Sequence, residues 1–225
     1  MKNQISIIII LASLIMFSSC EYDNFAQPES TLSGNVVYEG AAIGVRNNGP
    51  QLELWEDGHA LKTLIPVFIK QDGSFSASLF DGEYKLVRKG DSPWLPQFQD
   101  TILIKVNGNT QIDIPVTPYF ALKDVTFNRT ADKLTATFTV NKVVENANLD
   151  NVRLYMSSRV LLDQVENQFS RDLNVEEINL GSAYTYSVDI PENLANLESV
   201  FVRVGLKSNS SGEYYYSQVQ KLPAK

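Results

Sequence analysis

One histidine, His59, and one cysteine, Cys20, are all that the chain holds of the residues that most often ligate metals or act as nucleophiles. A zinc site draws several such ligands together, so the sequence predicts no metal and no cofactor. His59 follows Asp57-Gly58, a turn signal, and its ring nitrogens are expected to face water. No Gly-x-Ser-x-Gly elbow is present, and Ser74, Ser76 and Ser78 alternate along one strand, where they present hydroxyls to solvent. Carboxylates are plentiful, which makes a paired-acid glycoside hydrolase the enzyme class to weigh. Glu176 and Glu177 are adjacent and would point to opposite faces of a strand, so they read as a solvated edge or loop. The oxygen-rich stretch 146–151 lacks the Asp-x-Asp-x-Asp-Gly spacing of a calcium loop. The expectation is a protein without a catalytic site.

Aromatic residues offer a different chemistry. Trp94 lies between Pro93 and Leu95-Pro96, in a stretch with no strand pattern. Exposed in a stiff loop, it would offer its π-face to the C–H face of a sugar ring, and it is the candidate ligand-binding residue. The competing expectation is that it closes the end of a sandwich or packs against a second domain, since large aromatics are mostly buried. Trp55 ends an alternating strand and reads as core or edge. In the run Tyr214-Tyr215-Tyr216, alternation puts Tyr215 on one face and its neighbours on the other.

The elements that must position these residues start with an address. Lys2 precedes an apolar run, Ile5 to Phe17, interrupted by Ser6 and Ser13 and followed by Ser18-Ser19-Cys20. A positive start, a short apolar core and small residues before a cut describe a secretory signal over residues 1–19. The pair of small residues before the cysteine resembles a bacterial lipobox, with Phe17 where Leu is usual. That resemblance implies cleavage before Cys20 and acylation of its thiol and new amino group. Several acyl chains anchor a protein stably where one would not. Residues 20–30 are polar and read as a tether, reaching about 35 Å when fully extended. Without residues 1–19 the net charge moves from −7 to −8, which argues against nucleic acid and anionic surfaces as partners.

From Thr31 onward the pattern is β. Short alternating runs are separated by Asp72-Gly73, Asp81-Gly82 and Asn107-Gly108, which predict hairpins. Pro115, Pro118 and the change at Tyr119-Phe120 suggest a domain boundary near residue 118. Beyond it, Leu134 to Val140 alternates with Thr135, Thr137 and Thr139, and further strands follow at Val152, Tyr184, Val200 and Tyr214. Leu161, Val165 and Phe169 sit four apart, which allows a short helix or an irregular connection. The fold class is therefore all-β, with two consecutive β-sandwich domains over residues 31–118 and 119–225.

Asp72-Gly73-Ser74-Phe75, with Leu79, Gly82, Tyr84 and Leu86, resembles the carboxypeptidase regulatory (prealbumin-like) sandwich, and the second set of strands suits an immunoglobulin- or fibronectin-III-like sandwich. With Cys20, Asp23-Asn24-Phe25, Pro28 and Leu32-Ser33-Gly34, the whole chain from Cys20 onward resembles a family of Bacteroidetes lipoproteins of unknown function. These occur beside outer-membrane glycan-uptake pairs of the starch-utilisation type. Glu21 and Asp23 also look like the signals that send such lipoproteins to the cell surface. The resemblance implies an outer-membrane, surface-facing, lipid-anchored protein that handles glycan by association, and it implies no catalytic residue. With Trp94 and the tyrosine-rich strand, the expectation is an accessory that binds glycan. The alternative is an interaction module that docks onto outer-membrane uptake proteins and touches no sugar.

Overall fold

The computed structural model describes residues 26–47, 49–56 and 63–224. Cys20, the signal segment and His59 lie outside these residues. The fold is two β-sandwich domains, and the two sheets of the first differ in how they are built. One centres on β1 (Ser30–Tyr38), which pairs antiparallel with β5 (Ser74–Leu79) and, near its end, with β2 (Ala41–Ala42). It also pairs parallel with β8 (Asn109–Gln111) and β9 (Ile114–Pro115). The other sheet has the order β4 (Leu64–Phe68), β3 (Gln51–Glu56), β6 (Gly82–Arg88), β7 (Gln97–Val106), antiparallel throughout. Leu32, Val36 and Phe75 of the first sheet meet Leu52, Leu54, Leu86 and Ile104 of the second in the core.

The predicted turns are present. Asp72-Gly73 closes a short hairpin, with Ile69 bridged antiparallel to Phe75 and the Lys70 amide donating to the Ser74 carbonyl at 2.8 Å. The longer strands on either side of each turn do not pair with one another. β4 and β5 lie in different sheets, as do β5 and β6, and β7 and β8. Each of Asp72-Gly73, Asp81-Gly82 and Asn107-Gly108 therefore carries the chain across the sandwich. An Asp-Gly pair fixes a reversal of direction. Which strand the next segment joins is decided by long-range pairing, and β1 wins both β5 and β8. Asp81 holds this corner together, since its carboxylate accepts hydrogen bonds from the Ser30 hydroxyl and the Gly108 amide. At Gly73 φ is +90°, and a Cβ would lie 2.3 Å from the Ile43 carbonyl oxygen, so glycine is required there.

In the second domain a three-stranded sheet, β10 (Phe120–Arg129), β11 (Lys133–Lys142), β14 (Ala183–Asp189), faces a larger one. The larger sheet runs β13 (Phe169–Asp172), β12 (Leu149–Ser157), β15 (Ser199–Ser208), β16 (Tyr214–Tyr216), with β17 (Gln220–Pro223) also on β15. The alternation read in β11 is realised fully: Leu134, Ala136, Phe138 and Val140 are all buried. Helix among the described residues is confined to a 3-10 turn, Val175–Glu177, and a single turn, Glu192–Ala195. Buried Arg129 donates to the carbonyls of Leu194, Ala195 and Leu197 and so satisfies the end of that turn. Over residues 160–173, where a short helix or an irregular connection was expected, the chain is an irregular loop to residue 168 and then strand β13.

The two domains share one continuous apolar core. Gly44 and Tyr216 exchange two backbone hydrogen bonds across the junction, at 3.2 and 2.9 Å. The Gln218 side-chain amide donates to the carbonyls of Ala42 and Asp72 at 3.1 Å each. The Gln71 side chain grips loop 158–168 twice, donating to the Val160 carbonyl and accepting from the Leu162 amide.

Candidate functional site

Strand parity builds the surface with most chemical content. In β3, Leu52 and Leu54 are buried, so Gln51, Glu53 and Trp55 must point the other way, to the outside of the first domain. The antiparallel register sets Phe68 opposite Gln51, Pro66 opposite Glu53 and Leu64 opposite Trp55. On the other flank Lys85 stands opposite Trp55, and Leu103 opposite Lys85. Directly opposed residues of an antiparallel pair share a face. One transverse row therefore reads Leu64, Trp55, Lys85, Leu103. Trp55 is partly exposed and belongs to no buried cluster of the described residues, while Phe68 is 49% and Leu103 74% exposed. The polar groups between the rings are Gln51, Glu53 and Lys89, and Lys89 Nζ lies 3.5 Å from a Glu53 carboxylate oxygen. A shallow recess of about 360 Å³ opens beside the row, lined by Glu83, Lys85, Leu103 and Lys105. This is an outer sheet face with a partly exposed indole in it and polar side chains around the indole.

Trp94 is not on any such surface. Its exposure is 0%, and it pairs with Pro118 at the domain junction. Its loop is stitched to the linker: the Leu95 amide donates to the Thr117 carbonyl at 2.9 Å, and the Tyr119 amide to the Pro93 carbonyl at 3.2 Å. The expectation of a sugar platform at Trp94 is corrected accordingly. Its rigid Pro-flanked loop folds inward because the junction offers the indole apolar cover. The parity of Leu52 and Leu54, visible in the sequence, is the signal that points to Trp55 instead.

The tyrosine run follows its alternation, yet neither face is open. Tyr215 enters the main core, while Tyr214 and Tyr216 join Tyr155 and Leu162 in a second cluster on the outside of the sheet. Loop 158–168 covers that cluster. Fully buried Arg203 lies 4.1 Å from the centre of the Tyr216 ring. It donates to the carbonyls of Ser217 at 2.9 Å, Leu162 at 2.9 Å and Gln71 at 2.8 Å. Burial lowers its pKa to about 10, which leaves it a cation at neutral pH. Burial likewise raises Tyr155 and Tyr216, and lifts Tyr215 to about 12.

A second recess, of about 440 Å³, lies where the domains meet and is lined by Arg46, Arg159, Val160, Leu161, Val165 and Glu166, among others. The Arg46 guanidinium is paired with the Glu213 carboxylate across the junction, and this hydrogen bonding raises its pKa. Buried Asp163 shapes the loop by accepting from the amides of Val165 and Glu166 at 2.8 and 2.9 Å. Glu177, one of the two adjacent glutamates, accepts from Asn174 and Tyr184. Ser76 and Ser78 are exposed, as their strand pattern requires. No group of three or more His, Cys, Asp or Glu able to hold a metal occurs among the described residues.

Comparison with known proteins places these surfaces in a family context. The profile described as protein of unknown function (DUF3823) N-terminal domain matches residues 30–117, and that of the domain of unknown function DUF3823_C matches residues 120–221. A DUF3823 family protein of known structure from Bacteroides ovatus is 46% identical, with a TM-score of 0.84, over 87% of this chain and 100% of that one. One from Parabacteroides merdae is 32% identical, with a TM-score of 0.80, over 88% and 100%. A Bacteroides uniformis protein provisionally named a carbohydrate binding protein is 19% identical, with a TM-score of 0.73, over 87% and 99%. Among curated proteins, none matches.

Proposed function

We propose, from the premise that the chain belongs to the DUF3823 family, that it is a non-catalytic glycan-binding lipoprotein of the outer membrane, and that sugar binds on the open face around Trp55. The observation that carries this reading is the outward indole of Trp55, set between Leu64 and Lys85 with Glu53 and Lys89 alongside. A pyranose presents an apolar C–H face and an equatorial rim of hydroxyls. The first packs on an indole, and the second needs donors and acceptors at its edge, which Lys85, Glu53 and Gln51 supply. The provisional name of the Bacteroides uniformis relative agrees with this reading. Glycoside hydrolysis needs two carboxylates flanking a scissile bond, whereas an indole with polar neighbours is what ring binding needs, and binding is the role this reading takes.

In this reading the Cys20 lipid holds the protein at the cell surface, beside outer-membrane uptake proteins. Intact mass of membrane-extracted protein checks the anchor: the mature chain should begin at acylated Cys20, and a lipid-free species retaining residues 1–19 would refute it. Affinity electrophoresis of the soluble form on immobilised glycans tests the binding. Trp55→Ala should weaken retention about tenfold, the loss expected for one aromatic contact. Since Trp94 is buried, the fluorescence change on sugar binding should survive Trp94→Phe and vanish in Trp55→Ala. Sugar binding indifferent to Trp55→Ala overturns the site. A second reading, a module that docks onto an uptake protein, draws on the exposed Val160, Leu161 and Val165 of the junction loop, and absence of binding to any glycan would favour it.

A further inference from the structure

We infer that the ligand of this face is a linear, uncharged glycan lying along β3 and β4, with Phe68 as a second ring platform; this rests on the reading of Trp55 as a sugar contact. Phe68 stands opposite Gln51, and Gln51 is four residues from Trp55 on the same face of β3. Four residues of strand advance about 13 Å, which is the span of three linked pyranose rings. Phe68 is 49% exposed and, among the described residues, belongs to no buried cluster, so its ring is more open to a ligand than the partly exposed Trp55. Pro66, exposed and opposite Glu53, forms the ridge between the two rings and has no amide hydrogen to leave unpaired. The track thus has an aromatic ring at each end and polar side chains in the middle.

Charge decides what kind of chain fits. Along β3 between the two rings the polar groups are Gln51, which is neutral, and Glu53, which pairs with Lys89 at 3.5 Å, while Lys85 stands to one side, opposite Trp55. A polyuronate would place a carboxylate on each unit over this strip and bring it against Glu53, whose ion pair with Lys89 it would have to compete for. An uncharged chain finds donors and acceptors in balance. A single ring reaches one aromatic contact. A chain that spans both platforms adds the second contact without a second association step, so affinity should rise with length and then level off.

Isothermal titration of cello-, xylo-, manno- and malto-oligosaccharides, from disaccharide to hexasaccharide, tests this, with oligogalacturonates as the charged comparison. In the unaltered protein at least one neutral series should gain about tenfold in affinity between disaccharide and tetrasaccharide and then plateau. Phe68→Ala should remove that gain and leave the disaccharide unaffected, Phe68→Trp should keep it, and Trp55→Ala should weaken every length. If Phe68→Ala matches the unaltered protein at every length while Trp55→Ala still weakens binding, the track is overturned and the Trp55 reading stands. A preference for oligogalacturonates overturns the uncharged ligand. Binding insensitive to both substitutions, or no binding by any series, overturns both.

Discussion

Arg203→Met tests the idea that a buried cation welds the two domains and their shared loop. The guanidinium is 0% exposed and reaches three carbonyls: Gln71 in the first domain, Leu162 in the junction loop, and Ser217 after β16. Methionine keeps the stem and removes the fork. Each charge-assisted hydrogen bond is worth about 1.5–3 kcal/mol, and the desolvated ring contact with Tyr216 about 2 kcal/mol. Against that gross loss, relief of the desolvation cost of a buried cation returns several kcal/mol. The net expectation is a destabilisation of about 3–5 kcal/mol, because three buried carbonyls lose their donor. With a urea slope of about 2 kcal/mol/M, the midpoint should fall by about 2 M. Arg203→Lys should recover less than half of this, since one ammonium cannot reach three diverging carbonyls and does not lie flat on a ring. Urea unfolding followed by circular dichroism gives the stability, and amide exchange at Gly44 and Tyr216 reports on the junction itself. A neutral or stabilising Arg203→Met would mean that desolvation outweighs the contacts, and the cation would not be what holds the seam.

Other substitutions probe the same frame. A Cβ on Gly44 would lie 2.5 Å from the Arg203 guanidinium and 2.7 Å from the Tyr216 carbonyl oxygen, so Gly44→Ala should cost about 1–3 kcal/mol in urea unfolding. Gly212→Ala, whose Cβ would meet only Asp91 at 3.5 Å, should be near neutral in the same assay. Trp94→Ala should cost about 3–5 kcal/mol and speed proteolysis at the linker near Pro118, with sugar affinity unchanged per folded molecule. Alkaline titration should destabilise the protein from about pH 10 upward. Tyr215 stays protonated in the folded state up to about 12 while the unfolded tyrosine ionises near 10. The stability it contributes is therefore complete below the unfolded value and is lost as pH rises through the folded one; a tyrosinate absorbance that rises fully near pH 10, before unfolding, would refute this.

What the sequence disclosed depended on whether a feature was local. The alternation of β11 and the parity of the tyrosine run are properties of a single strand, and both appear in the fold as read. The Asp-Gly and Asn-Gly pairs correctly marked reversals, but a turn does not say which sheet receives the next strand. β1 collects partners from residues 74–79, 109–111 and 114–115, and no window of sequence contains that choice. The two tryptophans illustrate the same division. Leu52 and Leu54 set the outward direction of Trp55 locally, so the better candidate was legible. Trp94 looked like a loop residue because it is one, and its burial depends on Pro118, more than twenty positions away. The apolar spacing of Leu161, Val165 and Phe169 allowed a helix, but the apolar residue of loop 158–168 that is buried is Leu162. Its place is fixed by Gln71 and Arg203, both distant in sequence.

The composition of the two open surfaces separates the two functional readings. Cores of protein interfaces are depleted in Lys and Glu and enriched in Arg and aromatic residues. Around Trp55 the neighbours are Glu53, Lys85 and Lys89, which a protein partner would have to desolvate and which a sugar's hydroxyls would bridge without removing their charge from water. At the junction loop the balance is reversed. Val160, Leu161 and Val165 stand exposed together beside Arg46, Arg159 and Glu166, and no aromatic ring is among the described residues that line this recess. In the proposed reading, the Trp55 face is assigned to a polyhydroxylated ligand, and the junction loop is the surface that the alternative, protein-docking reading would use. Because the Gly44–Tyr216 bridge and the Arg203 contacts join the domains rigidly, a load on one surface would be carried by the same folded block as the other.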